Sequence, residues 1–172
     1  MAKVYSQQQG VDYTEVYALV ARMDTVRMII ALIAQRGWKI FQLDVKSAFL
    51  YGELSEDVYV EHLMSMCKKG NEYKVYKLQK TLYGLKQAPR AWFSRIETHF
   101  VSEGFQRCHS EQTLFVKTRS KGTILIVSIY VDDLIYTGDD DVMMSKFKKS
   151  MIRKFDMSDL GGMRFFLGIE VL

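Results

Sequence analysis

Proline occurs once in this chain, cysteine twice and histidine three times. Cys67 and Cys108 are too far apart for a Cys-x-x-Cys unit, and His62, His99 and His109 lack zinc-finger spacing. The common structural zinc sites are thereby excluded, and both thiols are expected to be reduced, as inside a cell. Long apolar runs are missing as well. The N-terminus, Met1-Ala-Lys-Val-Tyr-Ser-Gln-Gln-Gln9, has no apolar core of a signal sequence. The longest apolar stretch is broken by Asp132-Asp133 well short of a bilayer span. Neither secretion nor membrane insertion is expected, and the location expected is intracellular. No repeat or low-complexity linker divides the chain.

What is present is a globular composition: 172 residues, 48% hydrophobic and 13% aromatic, enough for one domain with a real core. The net charge of +4 is unevenly spread. From Lys68 to Arg95 there are eight Lys or Arg residues and one acid, Glu72, with Tyr73, Tyr76, Tyr83 and Trp92 interleaved. Such a segment serves either as a solvated face or as a surface for a polyanion such as nucleic acid.

Periodicity divides the chain into elements. Val26, Ile30 and Ile33 recur at helical spacing, which predicts a helix from Asp24, as N-cap, to Arg36, stopped by Gly37. Trp38 to Val45 reads as a strand that places Asp44 at its C-terminal end. Trp92, Ile96 and Phe100 mark a helix over 88–103 with Pro89 in its first turn. Thr113 to Thr118 and Thr123 to Tyr130 read as strands joined by a turn at 119–122, and Val131 to Thr137 as the strand that follows. Met143, Met144, Phe147, Met151, Ile152 and Phe155 give one apolar face to a helix over 139–155, acidic at its start and basic further on, as the helix dipole favours. Phe165 to Val171 is expected as a closing strand after a Gly161-Gly162 turn. The order β, α, β, β, α, β after the first helix predicts an α+β domain with an antiparallel sheet packed on helices.

Asp132-Asp133 interrupts Ile124 to Thr137, where nearly every other residue is apolar. Ionised carboxylates placed toward a core cost several kcal/mol unless a cation or hydrogen bonds compensate. Asp44, at a strand end, can join them if the two strands are neighbours. Three carboxylates in one place suit hard divalent cations, and two such ions activate a hydroxyl and stabilise a leaving phosphate oxygen, as nucleotidyl transfer requires. Asp-Asp also serves as an ordinary turn dipeptide. A calcium-binding hairpin is a further alternative, against which stands the lack of regular acid spacing.

Tyr130-Val-Asp-Asp133 resembles the YxDD box of reverse transcriptases, and Leu43-Asp-Val-Lys-Ser-Ala-Phe-Leu50 resembles their first catalytic motif. Leu82-Tyr-Gly-Leu-Lys-Gln-Ala-Pro-Arg-Ala-Trp-Phe93 is similar to the template-and-nucleotide motif of copia-type LTR retrotransposon polymerases, and Phe166-Leu-Gly-Ile-Glu-Val171 to their primer-grip strand. Ser110-Glu-Gln-Thr-Leu-Phe115 and Asp159-Leu-Gly161 also resemble that family. These blocks span nearly the whole chain in order.

The resemblance implies a right-hand polymerase palm with partial fingers over residues 1–172, an RNA-directed DNA polymerase that transfers nucleotides from dNTPs to a primer 3′-OH. It implies two Mg²⁺ ions, with Mn²⁺ as a substitute, held by Asp44, Asp132, Asp133 and the backbone carbonyl of Val45. Phe49 would pack under the incoming sugar and exclude a ribonucleotide 2′-OH, while Tyr83, Gly84 and Gln87 would face the nucleotide. Lys86, Pro89 and Arg90 would meet the template, and Phe166, Leu167 and Gly168 the primer. Packing is the alternative role for Phe49 and Tyr83, and solvation for Lys86 and Arg90. A lysine of the 146–154 segment would assist pyrophosphate departure.

Partners implied are an RNA or DNA template with primer, dNTPs, and the remaining Pol regions: integrase, thumb and ribonuclease H. Relative to the family pattern, the basic finger strand before Lys3 to Gln7, the thumb and the ribonuclease H region are expected to be absent. Glu61 to Cys67 and Tyr17-Ala-Leu19 replace proline-containing family segments. The second hypothesis is a non-catalytic nucleic-acid-binding remnant of a decayed element.

Overall fold

The computed structural model describes residues 7–13, 16, 20–61, 74–119 and 122–171. The expectations that concern Lys3 to Ser6, Tyr17 to Leu19 and His62 to Tyr73, Cys67 included, lie outside them. The chain gathers into two compact units, one from residues 1–18 and 48–96, the other from 19–47 and 97–172.

The second unit is built on a six-stranded antiparallel sheet. Its strands are β1 (Ile40–Val45), β4 (Gln106–Arg107), β5 (Leu114–Thr118), β6 (Ile124–Tyr130), β7 (Asp133–Gly138) and β8 (Met157–Gly162). Their spatial order is β4-β5-β6-β7-β1-β8. Leu125 to Ile129 are buried in succession because both faces of the sheet are covered, so the apolar run need not alternate. On one face Ile40, Ile126 and Ile135 pack with Val26, Ile29 and Ile33 of helix α1 (Met23–Arg36). The other face carries Phe115 and Tyr136. Phe115 meets Phe100 of helix α2 (Ala88–Ser102), with ring centroids 4.9 Å apart. Tyr136 meets Phe147 of helix α3 (Asp141–Lys154) at 5.2 Å. Each such aromatic pair adds about 0.5–1.5 kcal/mol beyond the area it buries.

The antiparallel sheet and the three helices follow the sequence pattern, with specific corrections. Arg22 rather than Asp24 is the N-cap of α1 and makes no side-chain cap; Asp24 falls in the first turn, where its charge still complements the dipole. Gly37 ends the helix in the left-handed region, φ 64°, as expected. The N-cap of α3 is Asp140, whose Oδ1 accepts the Met143 amide at 2.8 Å.

Gly161-Gly162 is not a turn but the end of β8, a strand the composition Met-Ser-Asp-Leu-Gly-Gly hides. Pairing with β1 overrides that weak propensity, and the register slips between Gln42 and Leu43, where Gly161 at φ 73° accommodates the extra residue. The single closing strand expected over 165–171 is instead a hairpin of β9 (Phe165–Phe166) and β10 (Ile169–Glu170). Leu167 and Gly168 form its turn, both at positive φ (48° and 80°), the conformation that matches strand twist.

In the first unit, β2 (Tyr59–Glu61) pairs antiparallel with β3 (Val75–Lys77). A 3-10 turn at Ala48–Tyr51 follows β1 in sequence. Val58, Leu85 and Ala88 are buried, with Phe49, Leu54, Leu78 and Leu82 packed on them. Gly52 is required here: a Cβ would lie 2.7 Å from Thr81 Oγ1 and 2.9 Å from Ala91 Cβ. No helix among the described residues is long and apolar enough to cross a membrane. Cys108 is a free thiol.

Candidate active site

Asp44 and Asp133 are directly opposed across β1 and β7, and Asp133 in turn faces Tyr130 across the β6–β7 hairpin. Directly opposed residues share a face, with Cβ atoms roughly 4.5–5.5 Å apart. The antiparallel register thus brings together carboxylates nearly ninety positions apart in sequence, 133 − 44 = 89. Val131 and Asp132 are the two turn residues, and the Val45 amide donates to the Asp132 carbonyl at 3.0 Å, docking the turn on the end of β1. Strand β7 therefore starts at Asp133, two residues later than periodicity predicts.

Val131 has φ 58°. A β-branched residue is strained there, by about 1–3 kcal/mol, and such strain persists only where surrounding structure imposes it. The pairing of Tyr130 with Asp133 and of Val20 with Tyr130 does so on either side.

Burial and mutual repulsion both work against ionisation of Asp44 and Asp133. Burial, then the nearby charge of Asp132, raises the Asp44 carboxyl above its ordinary value, and Lys46 only partly offsets this. Burial also raises Asp133; a hydrogen bond from Gln42 Nε2 to its Oδ1 at 3.1 Å opposes the shift, and the charges of Asp132 and Asp44 add to it. All-oxygen donors in mutual repulsion fit a hard divalent ion by their chemistry. Val45 has a buried side chain and offers only its backbone. Among the described residues, no three acidic, His or Cys side chains are drawn close enough to hold one metal ion.

The other expected site residues fall into two groups by unit. Phe166 is buried in the same core as α1 and sets its ring edge-on to Tyr130 at 6.2 Å, so the β9–β10 hairpin packs on the first residue of the Tyr-Val-Asp-Asp box. Leu167 is half-buried and Gly168 exposed.

In the first unit, Phe49 and Tyr83 come together, rings 5.6 Å apart; Phe49 is half-buried and Tyr83 is 64% exposed beside Gly84 at φ 98°. Thr81 Oγ1 donates to the Phe49 carbonyl. Gln87 is only 4% exposed and spends both ends of its amide internally. Its Oε1 accepts from Gln7 Nε2 at 3.0 Å, and its Nε2 donates to the Asp12 carbonyl at 3.4 Å. The Lys86 amide donates to Gln7 Oε1 at 2.9 Å. Lys86 and Pro89 are half-buried and Arg90 is exposed. Elsewhere in the basic segment, Lys77 pairs with Asp57 at 2.7 Å and Arg95 with Glu53 at 3.7 Å.

Gln42 and Glu111 carry no mark of a role in the sequence taken alone. Glu111 accepts from Thr25 Oγ1 (3.0 Å), Thr113 Oγ1 (2.7 Å) and the Thr113 amide (3.2 Å), tying the first turn of α1 to the start of β5. Burial opposes its ionisation, yet these hydrogen bonds together hold its carboxyl below the usual range. In the sequence Glu111 is marked only by its place in the Ser110 to Phe115 block. The lysines of α3, expected to assist pyrophosphate departure, lie on a helix that packs on the Tyr136 face of the sheet, opposite the face of Asp44 and Asp133.

The family model for reverse transcriptase (RNA-dependent DNA polymerase) matches residues 1–172. The chain belongs to this family. This reverse transcriptase domain is 35% identical over 172 residues to the retrovirus-related Pol polyprotein from transposon TNT 1-94 of Nicotiana tabacum, covering 100% of this chain and 13% of the relative. It is 38% identical over 170 residues to the Pol polyprotein from transposon RE1 of Arabidopsis thaliana, covering 99% of this chain and 12% of the relative. The putative transposon Ty5-1 protein of Saccharomyces cerevisiae is 33% identical over 129 residues, 75% of this chain and 42% of the relative. The domain thus spans about an eighth of the length of the plant Pol polyproteins it matches. No solved structure matches it.

Proposed function

We propose that this domain is the palm and partial fingers of a copia-type RNA-directed DNA polymerase, extending a primer 3′-OH with dNTPs on an RNA or DNA template. The reading rests on one observation above all: Asp44 and Asp133 face each other across β1 and β7 beside a strained turn that carries Asp132. Those three carboxylates, with the Val45 carbonyl, would hold two Mg²⁺ ions, Mn²⁺ serving as a substitute. When bound, such ions lower the pKa of an attacking hydroxyl and offset charge on the leaving pyrophosphate.

The protein's own residues supply position. Gln42 fixes the Asp133 carboxylate, and the Val45 amide fixes the turn peptide. Phe166 against Tyr130 supports the primer end through the hairpin turn at Leu167 and Gly168. The Phe49 and Tyr83 rings form a small apolar wall suited to a deoxyribose, with Gly84 beside it; Gln87 shapes that region from within, and Lys86, Pro89 and Arg90, its neighbours in sequence, would meet the template. In a full element, integrase, thumb and ribonuclease H regions would accompany the domain, inside the cell.

A second reading, a remnant that binds nucleic acid without catalysis, draws on the lack of three converged metal-binding side chains among the described residues. Primer extension on a homopolymer template with dNTPs and Mg²⁺ separates the two. Extension above that of Asp132→Asn supports the polymerase; template binding with no extension above the variant leaves only the remnant.

A further inference from the structure

Helix α3 carries Lys146, Lys149 and Arg153 at spacings of three and four, all exposed, with Val142 and Ile152 exposed beside them. That spacing sets the three cations along one side of the helix, over about 10 Å of its axis. The buried side of the same helix, Met143, Met144, Phe147 and Met151, faces the sheet, so the basic strip faces away from it.

The strip is uncompensated. Lys148, on another side of α3, is neutralised by Asp159. Acids on neighbouring elements of this unit are engaged elsewhere: Glu103 with Ser150 at 2.8 Å, Glu97 with Arg107 at 2.7 Å, Asp156 with Lys46 at 3.4 Å. Among the described residues, Lys146, Lys149 and Arg153 form no ion pair. The helix dipole rewards a cation in the last turn, which accounts for Arg153 and Lys154. It gives nothing to Lys146 and Lys149 in the middle, where like charges three and four apart oppose the helix.

We propose that the outward strip Lys146-Lys149-Arg153 of α3 is a second nucleic-acid contact, which grips the phosphate backbone of single-stranded template RNA on the side of the sheet opposite Asp44 and Asp133. The proposal rests on the polymerase reading for the identity of the polyanion. Helix α3 itself carries no exposed aromatic ring to stack bases, so recognition is of phosphate alone and independent of sequence. Single-stranded RNA is the occupant because a duplex is stiff over about 150 base pairs and cannot curl from the carboxylate face round the sheet, whereas a flexible single strand can.

The test is fluorescence anisotropy of the whole chain with a labelled single-stranded homopolymer RNA, for wild type, K146E/K149E/R153E and the milder K146Q/K149Q. Circular dichroism and thermal melting check that each variant folds. The expected result is at least a tenfold loss of affinity at low salt for the triple variant. The slope of log affinity against log salt should also shrink by about 2, from three phosphate contacts at roughly 0.7 each. The Gln variant should show a smaller change in the same direction. Wild-type affinity and slope in a folded variant would overturn the proposal, as would competition by polyglutamate as effective as by unlabelled RNA. Asp132→Asn is run in parallel: it should keep RNA affinity while losing extension, so failure of the strip and failure of the polymerase reading give different results.

Discussion

Replacing Asp133 by Asn keeps the shape of the site and removes one charge from it. The Asn side-chain oxygen can still accept from Gln42 Nε2, as Asp133 Oδ1 does at 3.1 Å, so the change removes the cost of burying this charge together with its repulsion from Asp132 and Asp44. Two unit charges about 5 Å apart repel by roughly 3 kcal/mol at an effective dielectric of 20 and by under about 1 kcal/mol in water. Asp44 and Asp133 are half-buried, and solvent screening pulls the value toward the lower limit. A gain of about 1 kcal/mol is expected, a rise in Tm of roughly 2–4 °C for a domain of this size. Both folded carboxyls titrate above their ordinary value, so the destabilisation is absent in acid and appears as pH rises through the folded values. The assay is a thermal melt of wild type and variant at pH 7 and pH 3, each with and without Mg²⁺. The variant should melt higher at pH 7 and equally at pH 3, and Mg²⁺ should raise the wild type more than the variant. A lower Tm at pH 7, or an equal gain at both pH values, would refute the reading that burial and repulsion of these charges destabilise the fold.

Three other perturbations test the surrounding frame. Glu111→Ala removes the acceptor of three hydrogen bonds from a side chain only 11% exposed and should cost about 2–4 kcal/mol by chemical denaturation. Because the folded Glu111 carboxyl titrates below its ordinary value, the wild-type advantage should be full at neutral pH and shrink as pH falls through that lowered value; an advantage unchanged in acid counts against the network. Gly52→Ala forces a Cβ against Thr81 Oγ1 and Ala91 and should cost about 1–3 kcal/mol, read as a lower denaturation midpoint. Val131→Gly relieves the strain at φ 58°, about 1–3 kcal/mol, and adds back about 0.5–1 kcal/mol of chain entropy; Tm should rise or hold while primer extension falls, and a clear drop in Tm would show that the turn is not strained.

How much of this was legible in the sequence depended on whether a residue's role is local or comes from pairing. Helices α1, α2 and α3 declared themselves because a 3.6-residue apolar period survives any tertiary context, and strands β5 and β6 because their β-branched residues sit between turn signals. Strand β8 did not, since Met-Ser-Asp-Leu-Gly-Gly has no period of its own and is made a strand by β1. The same division runs through the site. That Asp132-Asp133 needs compensation was visible from its apolar flanks, and the resemblance to reverse transcriptases named Asp44 as the third carboxylate. The register that opposes Asp44 to Asp133, not to Asp132, is a property of the sheet. Glu111 and Gln42 were invisible for the same reason: each acts on a residue more than eighty positions away in sequence. The face opposite the carboxylates follows from register too. A lysine-rich helix read in sequence invites a role at the triphosphate, but alternation along β7 puts Tyr136, and α3 with it, on the far side from Asp133. That placement puts the α3 cations on the face opposite the carboxylates, which is where the proposed phosphate-backbone contact lies.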